Sequence, residues 1–170
     1  MKRIKNEFLD SVLDDAAWSA LSSDYQWTEP LLEKCKSKVN WRLVCSNRQI
    51  LWTPSMLEKF QSYIEWEELS DTDCETILTA DLLDKYKDLW DWPTLSENNY
   101  LTLSYQLIDR FIDYWDWSNL IDRYSDKNLY TIEFLERYAD KIPLSKLQNS
   151  ALWHKVINQR SSELFFEITL

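Results

Sequence analysis

Thr79-Ala80-Asp81-Leu82-Leu83-Asp84-Lys85-Tyr86-Lys87-Asp88-Leu89-Trp90-Asp91-Trp92 reads as one amphipathic helix followed by a stop. Counting from Thr79, apolar side chains stand at +3, +4, +7 and +11, the spacing of one face of a 3.6-residue helix. A Thr just ahead of such a face is an N-cap, because its hydroxyl accepts from an N–H that has no partner within the helix. Trp92, at +13, opens a second apolar segment that continues to Leu95. Pro93 disfavours helix in the residue before it and so predicts the break at Trp92.

The same reading recurs. Stretches starting near residues 28, 53, 104 and 131 open on Thr28, Thr53, Ser104 and Thr131 and reach +13 at Trp41, Trp66, Trp117 and Leu144. With residue 79 included, the starts lie 25–27 residues apart. Residues 5–27 hold a degenerate copy, Phe8-Leu9-Asp10-Ser11-Val12 with Trp18, that lacks the Thr. Residues 148–170 fit poorly, as a terminal cap does. Each unit reads as a longer helix, a kink and a shorter helix. None is large enough to bury its own apolar face, so neighbours must stack. The expectation is all-α: a single domain over residues 1–170, a helical-repeat solenoid of about six two-helix units.

Composition agrees. The chain has no Gly, where ordinary usage of about 7% would supply roughly a dozen. Helices are weakened by Gly, and sheet-rich folds with tight turns lean on it. Its absence also removes the P-loop, the dinucleotide fingerprint and the G-x-S-x-G elbow. Hydrophobic content of 45% excludes disorder. A formal charge of −10 repels nucleic-acid phosphates and anionic lipid and attracts basic surfaces. Three cysteines without a close pair fit a reducing compartment. The basic start is interrupted by Glu7, Asp10, Asp14 and Asp15, and no 18-residue apolar run follows, so a soluble cytoplasmic chain with no membrane partner is expected.

Leu82–Trp92 and Leu107–Trp117 resemble a repeat found in uncharacterised proteins of large DNA viruses, phages and bacteria. Its pattern is of the Phe-Ile-Glu-Lys-Tyr-Lys-Asp-Lys-Val-Asp-Trp type. The resemblance covers roughly residues 5–147. It implies a helical solenoid and brings no catalytic residues with it.

The tryptophan row Trp18, Trp41, Trp66, Trp92 and Trp117 could stack nucleic-acid bases. Its return at the repeat period, with Leu144 taking the same place, instead reads as core. Trp27, Trp52 and Trp115 lie off that row and are candidate exposed anchors for a partner, with Trp90 and Trp153 also off it. The neighbours Glu33-Lys34, Glu58-Lys59, Asp84-Lys85, Asp109-Arg110 and Glu136-Arg137 read as solvated ladders linking adjacent units. His154 is the only histidine, too few for a His-based triad or a multi-His metal site. Cys35 takes a core position, and Cys45 takes the small-residue place of Ser22, Ser70 and Ser96. Cys74 sits among acids, which gives a thiolate no basic setting. No catalytic residue, metal or cofactor is expected, and the chain does not read as an enzyme.

Charge is what varies between units. Residues 65–91 carry ten carboxylates against Lys85 and Lys87, a net of −8, whereas residues 34–61 net +5. Glu65, Glu67, Glu68, Asp71, Asp73 and Glu75 are therefore the candidate steering surface for a basic partner protein. The function expected is non-catalytic protein binding, most specifically by an inhibitor or immunity-type protein that neutralises a toxin or defence enzyme. One alternative is a nucleic-acid binder using the basic second unit, Lys34 to Arg48, against which net charge counts. Another is a structural subunit that oligomerises through exposed aromatics.

Overall fold

The hydroxyl that opens four of the five repeats caps a helix. Thr53 Oγ1 accepts from Met56 N at 3.2 Å, Thr79 Oγ1 from Leu82 N at 3.4 Å, Ser104 Oγ from Leu107 N at 3.2 Å and Thr131 Oγ1 from Phe134 N at 3.1 Å. Thr28 holds the same place without a side-chain hydrogen bond. The computed structural model describes residues 6–125 and 128–169. The basic start at 1–5 and residues 126, 127 and 170 lie outside the described residues. Among those described there are twelve α-helices, one 3-10 helix at Glu75–Ile77 and no strand. None of the helices is long and apolar enough to cross a membrane.

After α1 (Glu7–Asp24) come five pairs: α2 (Glu29–Cys35) with α3 (Trp41–Ser46), α4 (Pro54–Phe60) with α5 (Trp66–Ser70), and α6 (Ala80–Lys85) with α7 (Trp92–Glu97). Then follow α8 (Tyr105–Arg110) with α9 (Trp117–Leu120), α10 (Ile132–Arg137) with α11 (Leu144–Leu147), and finally α12 (Ala151–Thr169). The chain gathers into two compact units, Met1–Trp90 and Asp91–Leu170. In the first, α3 packs between α1 and α5; in the second, α7 packs on α9 and α10 on α12.

Two local expectations are corrected. The degenerate copy has no kink: α1 is one continuous helix of 18 residues, started by Asn6 Oδ1 accepting from Phe8 N and Leu9 N. Ala16-Ala17 stand where a break would fall, and Ala is the best helix former. Trp92 is helical, the first residue of α7, with Asp91 as its N-cap and Pro93 in the first turn. Proline is tolerated there because that turn's N–H groups have no helical partner. The break therefore falls before Trp92.

Within each compact unit, three columns of residues tie neighbouring repeats together. The first is the tryptophan row. Trp41 Nε1 donates to the Lys36 carbonyl at 2.9 Å, Trp66 Nε1 to Gln61 at 3.4 Å and Trp117 Nε1 to Ile112 at 3.2 Å. Each acceptor stands just past the longer helix, where carbonyls lack partners within the helix. The rings then rest on aromatics of the following repeat. Trp41 meets Phe60 and Tyr63 at 5.3 and 5.2 Å, and Trp66 meets Tyr86 and Trp90 at 5.3 and 4.9 Å. Trp92 lies 5.0 Å from both Phe111 and Trp115, and Trp117 lies 5.1 Å from Tyr138.

The second column is a small polar atom, in α1 at Ser22 and in the shorter helices after it. Ser22 Oγ donates to the Trp18 carbonyl at 2.7 Å and accepts from Asn40 N at 2.9 Å. Ser96 Oγ does the same with Trp92 and Asp116, at 2.6 and 2.9 Å. At Cys45 the thiol stands in the same place, beside the backbone of Glu65. Asn40, Glu65 and Asp116 are the N-caps of the next shorter helix, so at Ser22 and Ser96 one hydroxyl fastens a helix to the start of its successor. The third column is Asn47, Thr72, Asn98 and Arg123. Asn47 Nδ2 donates to the carbonyls of Ser22 and Tyr25 in the repeat before it, and the Arg123 guanidinium reaches the Leu101 carbonyl. Among the described residues, every buried polar residue except Ser150 belongs to the second or third column.

Trp92 and Ser96 are buried, so removing either side chain is costly. Trp92→Ala should lower the unfolding free energy by about 3–5 kcal/mol. Ser96→Ala should cost about 1–3 kcal/mol, because Asp116 N loses its acceptor. Ser46→Ala, on an exposed serine of α3, should stay within about 0.5 kcal/mol. Urea titrations followed by circular dichroism measure all three, and equal effects at Ser96 and Ser46 would refute the fastening role.

Candidate interaction surface

Packing of α3 against α5 brings the basic and acidic stretches together. Arg42 Nη2 lies 2.5 Å from Glu68 Oε1. Arg48 lies 2.9 Å from Asp71 and 3.6 Å from Asp73. Three of the six candidate steering carboxylates are thus engaged by the basic repeat, while Glu65, Glu67 and Glu75 are exposed. Asp91, counted in the acidic stretch, is spent as an N-cap, with Oδ2 accepting from Thr94 N at 3.0 Å. Net charges of opposite sign on neighbouring repeats meet across one joint.

The longer helices carry the expected ladders. Lys59 Nζ pairs with Glu29 at 3.2 Å and Glu33 at 3.9 Å, and Lys85 with Glu58 at 3.3 Å. Arg137 pairs with Asp109 at 2.5 Å and Lys141 with Asp113 at 2.7 Å. Asp109 also accepts from the Tyr138 hydroxyl at 2.9 Å. The hydrogen bond from Arg137 holds the Asp109 carboxyl below the usual carboxylate range. Burial, and then the hydrogen bond to Asp109, push the Tyr138 phenol up to about 12.

Trp27, Trp52 and Trp115 are 6%, 1% and 5% exposed, which corrects the expectation that they face a partner. Trp27 and Trp52 directly precede the N-cap Thr, the place taken by Leu78, Leu103 and Tyr130, all buried. A hydrophobic residue there packs onto the first turns of the helix it precedes. Trp115 stands at +11 with Val39, Ile64, Trp90 and Ile142, also buried. The indoles of Trp27 and Trp115 donate inward, to the carbonyls of Leu21 at 2.9 Å and Ile108 at 3.1 Å. The signal was present in the sequence as Trp-Thr, Trp-Thr, Leu-Thr, Leu-Ser and Tyr-Thr at the repeat period.

Cys45 is buried, Cys35 and Cys74 are half-buried, and all three are free thiols. Burial pushes the Cys45 thiol up to about 12. Cys74 Sγ sits 3.4 Å from the Trp52 carbonyl and 3.0 Å from Thr76 Oγ1. His154 is exposed on α12. Among the described residues no three His, Cys, Asp or Glu side chains cluster as a metal site.

The surfaces that sequence reading missed are on the first and last helices. At 100° per residue, Phe8, Leu9, Val12, Leu13, Ala16, Ala17 and Ala20 cover about half the circumference of α1. All of them are exposed, Phe8 by 74%. Leu9 stands at the +4 place, where Leu32, Leu57, Leu83 and Ile108 are fully buried. The opposite side of α1 buries Ser22 and half-buries Trp18 towards α3. Beside it, Asp10, Asp14, Asp15, Trp18 and Lys38 line an open concavity of about 820 Å³, with Lys38 Nζ 5.5 Å from the centre of the Trp18 ring. On α12, Ile157, Leu164, Phe165, Phe166 and Ile168 are exposed. No protein-family model, curated protein or solved structure matches the chain.

Two measurements follow from the titrating groups. Asp109→Asn should destabilise the protein near neutral pH, and its deficit should close as pH falls. A carboxyl depressed in the folded state contributes stability above its unfolded value and loses it on descent through its folded value. Urea midpoints of both proteins across acid pH would show this, and a deficit that persists in acid would assign the effect to packing. Alkylation with iodoacetamide under native conditions should leave Cys45 for last, with labelling on unfolding. Equal native rates at Cys45 and Cys35 would contradict the burial of Cys45.

Proposed function

We propose that the chain is a helical-repeat solenoid, a non-catalytic, cytoplasmic interaction protein whose target is a basic partner protein. Its mode is that of an inhibitor or immunity-type protein occluding a toxin or defence enzyme. The observation that carries this reading is α1: a bare apolar half-surface on a helix with five carboxylates and no basic residue between Glu7 and Asp24. Apolar patches rimmed by polar groups mark interaction sites. An acidic rim selects a partner that is both apolar and cationic, and it speeds encounter with that partner.

Support also comes from what the other polar groups do. Hydroxyls, amides and carboxylates that recur with the repeat serve as caps, fastenings and ladder pairs, which are structural duties. The resemblance to viral, phage and bacterial repeat proteins favours the solenoid part of the proposal. The basic second unit offers little to nucleic acid, because Arg42 and Arg48 already face Glu68, Asp71 and Asp73.

The test is capture of partners from the native host by wild type, by Leu9→Glu/Leu13→Glu and by Asp14→Lys/Asp15→Lys, each checked for helicity. A basic protein should be retained by wild type and lost by the apolar variant. With the captured protein purified, the charge variant should associate about tenfold or more slowly at low salt. The two rates should converge near 1 M salt, where the Debye length is about 3 Å. Retention of the same partner by all three baits, or capture of nucleic acid alone, would reject the proposal.

A further inference from the structure

The last helix carries a different surface with a different charge. Leu152 and Val156 are its buried residues, on the side that meets α10, where Gln159 Oε1 accepts from Ile132 N at 3.1 Å. Facing away are Ile157, Ser161, Leu164 and Ile168, at intervals of four, three and four residues. That alternation is the seam of a two-helix coil, in which such residues meet those of a facing helix. All four are exposed, Ile168 by 81%. Phe165 borders the seam and is also exposed.

Charge identifies the occupant. Between Ala151 and Thr169 the positive residues, Lys155 and Arg160, precede the negative ones, Glu163 and Glu167. The helix is neutral within a chain of net charge −10, so it does not call for the basic partner that α1 calls for. A helix with its signs divided along its length is complementary to itself when reversed. We propose that α12 pairs antiparallel with α12 of a second copy, which makes the protein a twofold dimer.

In that pairing Ile157 lies opposite Ile168 of the other copy and Ser161 opposite Leu164. Arg160 and Glu167 directly precede the seam residues Ser161 and Ile168, so Arg160 of one copy faces Glu167 of the other, twice by symmetry. Within one copy Arg160 Nη1 lies 3.1 Å from Glu163 and 3.9 Å from Glu167, so these carboxylates are already within its reach and the pair needs only to be exchanged. A parallel arrangement would set basic half against basic half. Ser161 in the seam weakens the contact and fixes its register, as a polar residue does at a seam position.

Sedimentation of the full chain over about a hundredfold concentration range reads the equilibrium by mass action. Wild type should pass from monomer to dimer and stop there. Leu164→Glu should remain monomeric at every concentration, with its far-ultraviolet dichroism unchanged. Arg160→Glu and Glu167→Arg should each weaken dimerisation about tenfold or more, and the double variant should restore it, because the reversed pair is again complementary. A monomeric wild type, a dimer indifferent to Leu164→Glu, or charge variants without mutual rescue would each overturn the proposal. The α1 variants Leu9→Glu/Leu13→Glu should leave the dimer intact, so failure here and failure of the partner-binding reading are separable.

Discussion

An indole opens the shorter helices α3, α5 and α9 and has two duties there, whereas α11 opens on Leu144, which is 77% exposed. The indole N–H must satisfy a carbonyl left over just past the preceding longer helix, and the ring face must cover the aromatic residues of the next repeat. Trp41, Trp66 and Trp117 do both. A helix of six or seven residues leaves most of its backbone groups without helical partners, so it cannot persist alone. Here some of the missing partners are supplied by capping side chains within the repeat and others by the indoles that also join repeats. Local structure and packing thus share contacts, which is why a chain of such short helices is ordered at all.

Buried polarity follows the same logic. A hydroxyl or amide withdrawn from water must find a partner, and a repeat joint supplies one at a fixed place each time. Ser22 and Ser96 accept from the N-cap residue of the following shorter helix, and Asn47 donates back to the repeat before it. Cys45 stands in the same place with sulfur, a thiol being small enough for the site and a weak acceptor. Arg123 is the outlier of its column. A longer side chain is accommodated because its guanidinium reaches the carbonyl of Leu101 and the hydroxyl of Ser125.

Surface chemistry diverges at the two terminal helices. Both present exposed apolar residues, yet their charges differ in kind. On α1 the carboxylates are unbalanced, and the concavity beside it gathers Asp10, Asp14 and Asp15 with Lys38. On α12 the charges cancel and are divided along the axis. A uniform excess of one sign selects a partner of the opposite sign, whereas a divided helix selects its own reverse. The two proposed surfaces therefore call for partners of different charge.

The sequence by itself determined the internal helices and their capping residues, but not the unbroken α1, the start of α7 at Trp92 or the long α12. A Thr or Ser followed by apolar residues at +3, +4, +7 and +11 is a local pattern, and local patterns fix caps and faces without knowledge of neighbours. Absence of glycine and the ladders of acid and base were legible for the same reason. The sequence also contained the column formed by Trp27 and Trp52, but unequal residue types, Trp, Leu and Tyr, hid it from a reading by identity. Tertiary structure alone decided where the charges went. Arg42 and Arg48 are separated from Glu68, Asp71 and Asp73 by more than twenty residues, and only the packing of α3 on α5 turns two opposed stretches into ion pairs. It alone decided exposure as well. Phe8 and Leu9 carry the same pattern as the buried residues of later repeats, and what differs is whether a neighbour lies against them. Burial is a property of pairs of segments, and no window of sequence contains both members.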